Sequence, residues 1–158
     1  MCGRFYAPVR GRPSQAPGRY FRLLLVAAGA ATAAVEALSR EFGASPGQLV
    51  VAIGPSIGAC CYEVGTDLVD AFAAAGHPRH MVDRWFLAPP PRRGSAERPR
   101  LRLNLTAANR DQLILAGVPD AQIYDCGSCT AMHLDVLTSF RAEKEKAVRI
   151  AGIIRASG

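Results

Sequence analysis

The spacing of apolar and polar positions predicts alternating helices and short strands. Residues 30–42 are rich in alanine and repeat large apolar side chains every three or four positions, as an amphipathic helix does, and Gly43 follows as a stop signal. The apolar positions expected on one helix face are Val35, Leu38 and Phe42. Residues 49–53 are wholly apolar and end at a Gly-Pro pair, which indicates a buried strand followed by an irregular loop.

The same kind of pattern continues after residue 65. Thr66 is an expected helix N-cap, because apolar positions at helical spacing follow it. Residues 101–105 alternate leucine with polar side chains, which is typical of a half-buried strand. Thr106 is then expected to cap a helix that runs as far as Ala116. Strands alternating with helices indicate a single α/β or α+β domain.

Three further short strands and two loops complete the predicted organisation. The expected strands lie at residues 85–87, 122–124 and 148–154. Residues 88–99 combine proline with arginine, which indicates a surface loop. Residues 77–80 follow a helix end and are expected to be solvated loop.

Composition and charge narrow the classes of protein. The 158 residues are 49% apolar and 20% charged, which is typical of one globular domain. The excess positive charge behind the net charge of +6 lies in the arginines of residues 1–22 and in a second cluster, Arg92, Arg93, Arg98, Arg100 and Arg102. Because both stretches resemble a tail and a loop, a basic groove for nucleic acid is not expected. No apolar run is long enough to span a bilayer. The odd count of five cysteines and the lack of a cleavable signal favour reduced thiols and a cytoplasmic location.

The cysteines are the most reactive side chains in the pattern. Cys126 and Cys129 have the spacing of half a zinc site, for which Cys60 and Cys61 are the available partners. Adjacent cysteines in an extended chain point to opposite sides, so both are not expected at one ion. A redox role requires a helix directly after the motif. Pairing of Cys129 with His133 as nucleophile and base is a further alternative. Small half-buried thiols are the preferred interpretation.

The loop after the first strand is the best candidate for binding a ligand. Ser56, Ile57 and Gly58 offer free N–H groups to a phosphate or a sugar hydroxyl, although the same residues also suit a purely structural turn. Arg141 and Arg149 are candidates for phosphate binding through the guanidinium. We expect Ser56, Ile57, Gly58 and Arg141 to bind substrate, and no residue is assigned a catalytic role.

Four segments together resemble one known family. They are IGPSIGACCYEVG at 53–65, LNLTAANRDQLILAGV at 103–118, DCGSCT at 125–130 and SFRAEKEKAVRIAGII at 139–154. Their order resembles the laccase-domain family, also called the YfiH or peptidoglycan-editing-factor family and formerly labelled multicopper polyphenol oxidase. The resemblance covers residues 26–158. It implies an α+β fold, a layered α/β/β/α sandwich that is incomplete here at its N-terminus.

The same resemblance implies an activity and a cofactor. The family is a group of zinc enzymes, with copper in older labels, that carry out phosphorolysis of adenosine, inosine and methylthioadenosine and also deaminate adenosine. Purine nucleoside and phosphate are therefore the implied partners. Correction of peptidoglycan precursors and polyphenol oxidation are the other roles attached to the family.

The resemblance fails at the metal ligands. The family's ligands are a His, a Cys and a His in motifs upstream of the matched region, whereas this chain has no histidine before His77. Residues 1–25 are therefore expected to be an atypical, disordered leader, and residues 26–158 a partial domain that binds no catalytic zinc, turns over no nucleoside and exposes apolar surface. The alternatives are a non-catalytic remnant or binding module, and a polyphenol oxidase.

Overall fold

The computed structural model describes residues 26–88 and 100–151. The expected leader at 1–25, most of the loop at 88–99 and the last part of the expected strand at 148–154 lie outside these residues. Within the described residues the α+β class is confirmed, because helices pack on two small sheets of different kinds.

The first helix has the bounds that its sequence pattern predicts. Helix α1 spans Ala30–Phe42 and ends where Gly43 adopts a left-handed conformation with φ of 65°. The expected apolar face is only partly right, because Val35 is buried whereas Leu38 and Phe42 are 40% and 63% exposed. Val35, in the middle of the helix, is the α1 residue that belongs to the buried cluster beside the parallel sheet, whereas Leu38 and Phe42 lie outside that cluster.

A two-stranded parallel sheet carries the loop after the first strand. Strand β1 spans Val51–Ile53 and pairs with β5, Ile123–Asp125. In this register Val51 lies opposite Ile123. The two strands are shorter than expected, but the parallel pairing brings both of their carboxyl ends to one edge of the sheet.

A three-stranded antiparallel sheet forms the other half of the fold. Its strand order is β2-β4-β3, with β2 at Glu63–Gly65, β3 at Phe86–Leu87 and β4 at Arg100–Leu103. Helix α2 spans Asp67–Ala74, between β2 and the next helix. Thr66 is its N-cap residue as expected, although the hydroxyl makes no capping hydrogen bond.

Helix α3 departs from the sequence prediction. It spans Arg79–Trp85, where the pattern predicts a loop followed by a strand that begins at residue 85. The prediction is wrong because Val82 and Trp85, one helical turn apart, are both fully buried and fix one face of the helix. Only Phe86–Leu87 continue as strand.

Helix α4, Leu105–Leu115, joins the two halves of the molecule. Ala108 belongs to the core between α4 and the antiparallel sheet, and Leu113 belongs to the core beside the parallel sheet. Thr106 is not its cap as predicted. Asn104 occupies that position, and its side-chain oxygen accepts a hydrogen bond of 3.0 Å from the N–H of Ala107.

The C-terminal part of the described chain is less regular than expected. A short helix, α5, spans Phe140–Glu143, and residues 148–151 are not in a strand. The predicted strand is therefore wrong over these residues, because no described strand lies beside them to supply hydrogen-bond partners. Its apolar side chains Val148 and Ile150 are 74% and 47% exposed.

Candidate functional site

Two loops meet at the carboxyl edge of the parallel sheet. Residues 54–62 follow β1 and residues 126–130 follow β5, and Ser56 pairs with Cys129 in an isolated parallel bridge beyond the strands. The N–H of Thr130 donates to the carbonyl of Ser56 at 2.9 Å, and the N–H of Cys126 donates to that of Ile53 at 3.3 Å. Sites in α/β proteins commonly form at this edge, where loops from adjacent strands converge.

A tight turn places the adjacent cysteines on the same side of the loop. The N–H groups of Cys61 and Tyr62 both donate to the carbonyl oxygen of Gly58, each at 3.0 Å. The chain is therefore curled and not extended, so the expectation that Cys60 and Cys61 point apart is wrong. Their Sγ atoms and that of Cys129 all lie within 4.8 Å of one another.

Gly58 is present because the thiols leave no room for a side chain. A Cβ atom at this position would lie 3.2 Å from Cβ of Cys129 and 3.3 Å from Sγ of Cys60. The Gly58 N–H also donates to Sγ of Cys129 at 3.2 Å. The close approach that glycine permits here is thus to the thiol group of the neighbouring loop.

Two of the clustered thiols have pKa values shifted in opposite directions. Burial raises the pKa of Cys129, but hydrogen bonds from the Gly58 N–H, the Cys60 thiol and two further N–H groups outweigh it and hold that pKa below 9.0. Burial, followed by the neighbouring thiols Cys60 and Cys129, raises the pKa of Cys61 to about 12. Of these two thiols, Cys129 is therefore the one that loses its proton at the lower pH.

A cavity of about 390 Å³ opens beside the cluster. Residues of both loops and the N-terminal turn of α4 line it: Ser56, Gly58, Cys60, Asn104, Thr106, Ala107, Arg110, Asp125, Gly127, Ser128 and Cys129. The lining combines hydroxyl, amide, thiol, carboxylate and guanidinium groups. Ligand sites commonly combine an apolar surface with a few polar groups of this kind, which fix the orientation of the bound molecule.

The expected substrate-binding residues do not all reach this cavity. Ser56 and Gly58 line it, whereas Ile57 and Arg141 are not among its lining residues. The guanidinium of Arg141 instead lies over the ring of Tyr62, 5.1 Å from its centroid. Burial raises the pKa of the Tyr62 hydroxyl, against a smaller lowering by Arg141. Arg149, the other expected phosphate-binding arginine, is exposed.

The sequence pattern does not predict that α4 forms one wall of the cavity. Four residues of this wall line the cavity: Asn104, Thr106, Ala107 and Arg110. They lie in the segment 103–118, whose resemblance to the family is the one sequence feature that could have pointed to them. Periodicity alone could not place them, because the cavity forms only when α4 packs beside the carboxyl ends of β1 and β5.

Several cavity side chains already have structural partners. Arg110 donates to the Asp120 carboxylate at 2.7 Å and to the carbonyls of Ile123 and Asp120 at 3.0 and 3.1 Å. Oδ1 of Asp125 accepts from the N–H of Gly127 at 3.0 Å. The hydroxyl of Ser128 likewise donates to the carbonyl of Cys126 at 3.3 Å. The other hydroxyl groups at the cavity are those of Ser56 and Thr106.

The histidines of the described residues do not form a metal site. Nε2 of His77 donates to the carbonyl of Ala27 at 2.7 Å, and its ring packs against Phe72 and Trp85 at centroid distances of 5.7 and 5.3 Å. In residues 26–88 and 100–151, the one group of three or more potential metal donors is the thiol cluster, which includes no histidine. These residues therefore do not fit the His, Cys and His set that the family resemblance implies.

Comparison with known proteins shows the family. Residues 26–157 match the family described as multi-copper polyphenol oxidoreductase laccase, and the chain belongs to this family. Purine nucleoside phosphorylase YlmD of Geobacillus stearothermophilus is 34% identical over 110 residues, which are 70% of this chain and 37% of that protein. Adenosine deaminase RL5, from an unknown prokaryotic organism, is 37% identical over 100 residues, covering 63% of this chain and 34% of that protein.

A solved structure has the same fold over the matched part. The Bacillus licheniformis protein YfiH aligns with a TM-score of 0.63 and 31% identity, covering 74% of this chain and 40% of that chain. The chain thus spans well under half the length of the relatives it matches. Among the described residues, no helix combines the length and apolar character needed to cross a membrane.

Proposed function

We propose that residues 26–157 supply one wall of a purine nucleoside phosphorylase site, at which adenosine is also deaminated. The observation that carries this proposal is the family match over these residues, together with relatives named purine nucleoside phosphorylase and adenosine deaminase. The activity belongs to a site larger than the described residues, because the chain covers only 37% and 34% of those two relatives.

The cavity has groups suited to the polar parts of these substrates. In phosphorolysis a phosphate oxygen forms a bond to C1′ of the ribose while the glycosidic bond breaks and its electrons go to the purine. The hydroxyls of Ser56 and Thr106 lie at the cavity and suit hydrogen bonds to ribose or phosphate oxygens. The N-terminal turn of α4 adds a partial positive charge on the same side, which favours phosphate. These residues would hold and orient the substrates.

This chain alone is expected to be inactive. Zinc in the family would supply a polarised substrate or an activated water. The described residues lack the His, Cys and His donors for it, so no catalytic step is assigned to them. Purified chain, assayed with inosine and phosphate and separately with adenosine, should give no hypoxanthine or inosine above the uncatalysed rate, with or without added Zn²⁺.

A chimera tests whether this segment remains competent. Residues 26–157 would replace the matching segment of the YlmD phosphorylase, which retains its own upstream metal motifs. We expect the chimera to fold, to bind zinc and to phosphorolyse inosine. The double change Ser56→Ala and Thr106→Ala in the chimera should raise KM for phosphate or nucleoside, whereas Ala74→Ser on the exposed side of α2 should leave it unchanged. A folded, zinc-loaded chimera without phosphorolysis would instead favour a non-catalytic remnant.

Polyphenol oxidation is the activity in the description of the matched family. Multicopper sites rely on imidazole ligands, whereas the potential metal ligands that cluster in the described residues are all thiols. We therefore expect neither the chain nor the chimera, after loading with Cu²⁺, to oxidise a phenolic dye. Oxygen uptake that depends on the phenol would instead support polyphenol oxidation.

A further inference from the structure

The thiol cluster is not used by the proposed phosphorylase site. Cys60 and Cys129 line the cavity, and Cys61 lies directly behind them in the turn. Cys60 is exposed and the other two are partly buried, so the group is accessible from solvent. Two loops thus bring three nucleophilic sulfurs together at one accessible place.

We propose that Cys60, Cys61 and Cys129 form a binding site for one soft metal ion, Zn²⁺ or Cu⁺. Thiolate sulfur is the ligand that these ions prefer among protein side chains. The site is separate from the His, Cys and His set of the family, because it contains no histidine.

The distances between the sulfurs suit a single ion. Three thiolates around one zinc at about 2.3 Å lie about 3.8 Å from one another in tetrahedral geometry. The three Sγ atoms are already within 4.8 Å of one another, so contraction by about 1 Å through small side-chain rotations completes the geometry.

The backbone around the cluster also has the features of a metal–thiolate site. The N–H of Gly58 donates to Sγ of Cys129 at 3.2 Å. Hydrogen bonds of this kind orient a thiolate ligand and reduce its charge. Three thiolates in close contact repel one another, and a bound cation removes that repulsion.

The site would keep one open coordination position. In residues 26–88 and 100–151, no fourth carboxylate, imidazole or thiol joins the three sulfurs. Because two of the sulfurs line the cavity of about 390 Å³, a fourth ligand would come from water or from a molecule in that cavity.

Metal binding by a reduced variant that retains only the clustered thiols tests the proposal. Cys2→Ser and Cys126→Ser together remove the remaining cysteines of the chain, and Cys126 is exposed and outside the cluster. After anaerobic dialysis against Zn²⁺, this variant should retain one ion per chain. With Co²⁺ it should show a thiolate-to-metal charge-transfer band. Adding Cys60→Ser, Cys61→Ser or Cys129→Ser should weaken Zn²⁺ binding by roughly 100-fold or more.

A second measurement needs no substitution. Alkylation of the reduced wild-type chain, followed by peptide mass spectrometry, reports each cysteine separately. Zn²⁺ or Cu⁺ should protect Cys60, Cys61 and Cys129 while Cys126 stays reactive. Two results would overturn the proposal. One is equal alkylation of Cys60, Cys61, Cys126 and Cys129 with and without metal. The other is failure of the variant with Cys2→Ser and Cys126→Ser to retain Zn²⁺. Neither readout depends on nucleoside turnover, so failure of the metal site and failure of the phosphorylase proposal are distinguishable.

Discussion

At the scale of single residues, Gly58 is fixed by its close neighbours. Its φ is not in the left-handed region, so an alanine would be acceptable to the backbone; the obstacle is the side chains of Cys129 and Cys60. Gly54, four positions earlier in the same loop, provides a matched comparison, because a Cβ added there would meet no atom within 4 Å.

Gly58→Ala should therefore destabilise the protein. A Cβ at 3.2 Å from Cβ of Cys129 requires that neighbour, which the Ser56–Cys129 bridge holds in place, to move by a few tenths of an ångström, and overpacking of this kind costs about 1–3 kcal/mol. Gly54→Ala should change stability by less than about 0.5 kcal/mol. Urea unfolding followed by circular dichroism measures both, and equal midpoints for the two variants would contradict the steric argument.

Asp111 is the second residue whose contacts predict a measurable effect. Its carboxylate accepts a hydrogen bond of 2.6 Å from the indole N–H of Trp85 and also pairs with Arg84. Trp85 is fully buried, so removal of the carboxylate leaves a polar group of the core without its partner.

We expect Asp111→Ala to lower the free energy of unfolding by about 1–3 kcal/mol. Asp83→Ala is the control, because Asp83 lies in the same helix as Trp85 and pairs with the exposed Arg79. Its loss should cost less than about 0.5 kcal/mol. Trp85 is the one tryptophan in the chain, so its fluorescence reports unfolding directly. Similar losses in both variants would show that the indole contact is unimportant.

At the scale of elements, α5 is held at its N-terminus by one carboxylate. Glu143 accepts from the N–H of Ser139 at 2.8 Å and from the hydroxyl of Thr138 at 2.7 Å. The Ser139 N–H, with a smaller contribution from Thr138, lowers the pKa of Glu143 below its ordinary value of 4.5. The carboxylate thus stabilises the start of the helix only while it is ionised.

The pH dependence of this contact has a definite sign. Because the folded pKa is depressed, the stabilisation is fully present above pH 4.5 and is lost as the pH falls through the lower folded value. Glu143→Gln should therefore be less stable than wild type at pH 7, and the difference should shrink below pH 4.5. Thermal unfolding at several pH values measures it. A difference that is constant from pH 7 to pH 3 would exclude this role.

The elements also show what sequence pattern determines. The bounds of the helix at residues 30–42 follow from local signals, a run of alanines and a terminal Gly43 with positive φ. Helix α3 is missed because its N-terminal residues, which follow Pro78, are polar and its buried positions are only Val82 and Trp85. The strand expected at 148–154 depends on a pairing partner, which no local pattern specifies.

In the candidate site, too, local features can be predicted from the sequence and contacts between distant segments cannot. Ser56 and Gly58 are found from the sequence because a strand that ends in a glycine-containing loop is a local feature. The contribution of α4 and the meeting of Cys129 with the adjacent cysteines are not found, because both require contacts between distant parts of the chain. The direction of the Cys60 and Cys61 side chains depends on hydrogen bonds to Gly58, which the pattern does not reveal.

At the scale of the whole molecule, the described residues expose several large apolar side chains. The outer face of the parallel sheet shows it clearly, since Ala52 and Tyr124 lie opposite each other there and Tyr124 is 61% exposed. Apolar surface of this kind favours association between molecules.

We expect the purified chain to associate as its concentration rises. Tyr124→Lys should reduce this association, because a charge on the exposed sheet face opposes contact between two apolar surfaces. Ala74→Lys adds the same charge at an exposed position of α2 and should have a smaller effect. Sedimentation velocity over a range of concentrations measures both. A wild-type chain that stays monomeric throughout would contradict the expectation.

The bridge between Ser56 and Cys129 has a consequence for how the molecule folds. The contact between Gly58 and Cys129 joins residues 71 positions apart, and the β1–β5 pair joins two equally distant segments. Such long-range contacts form only after the entropic cost of closing the intervening loop has been met, so they slow folding. The two loops that carry the thiol cluster should therefore come together only at the last stage of refolding.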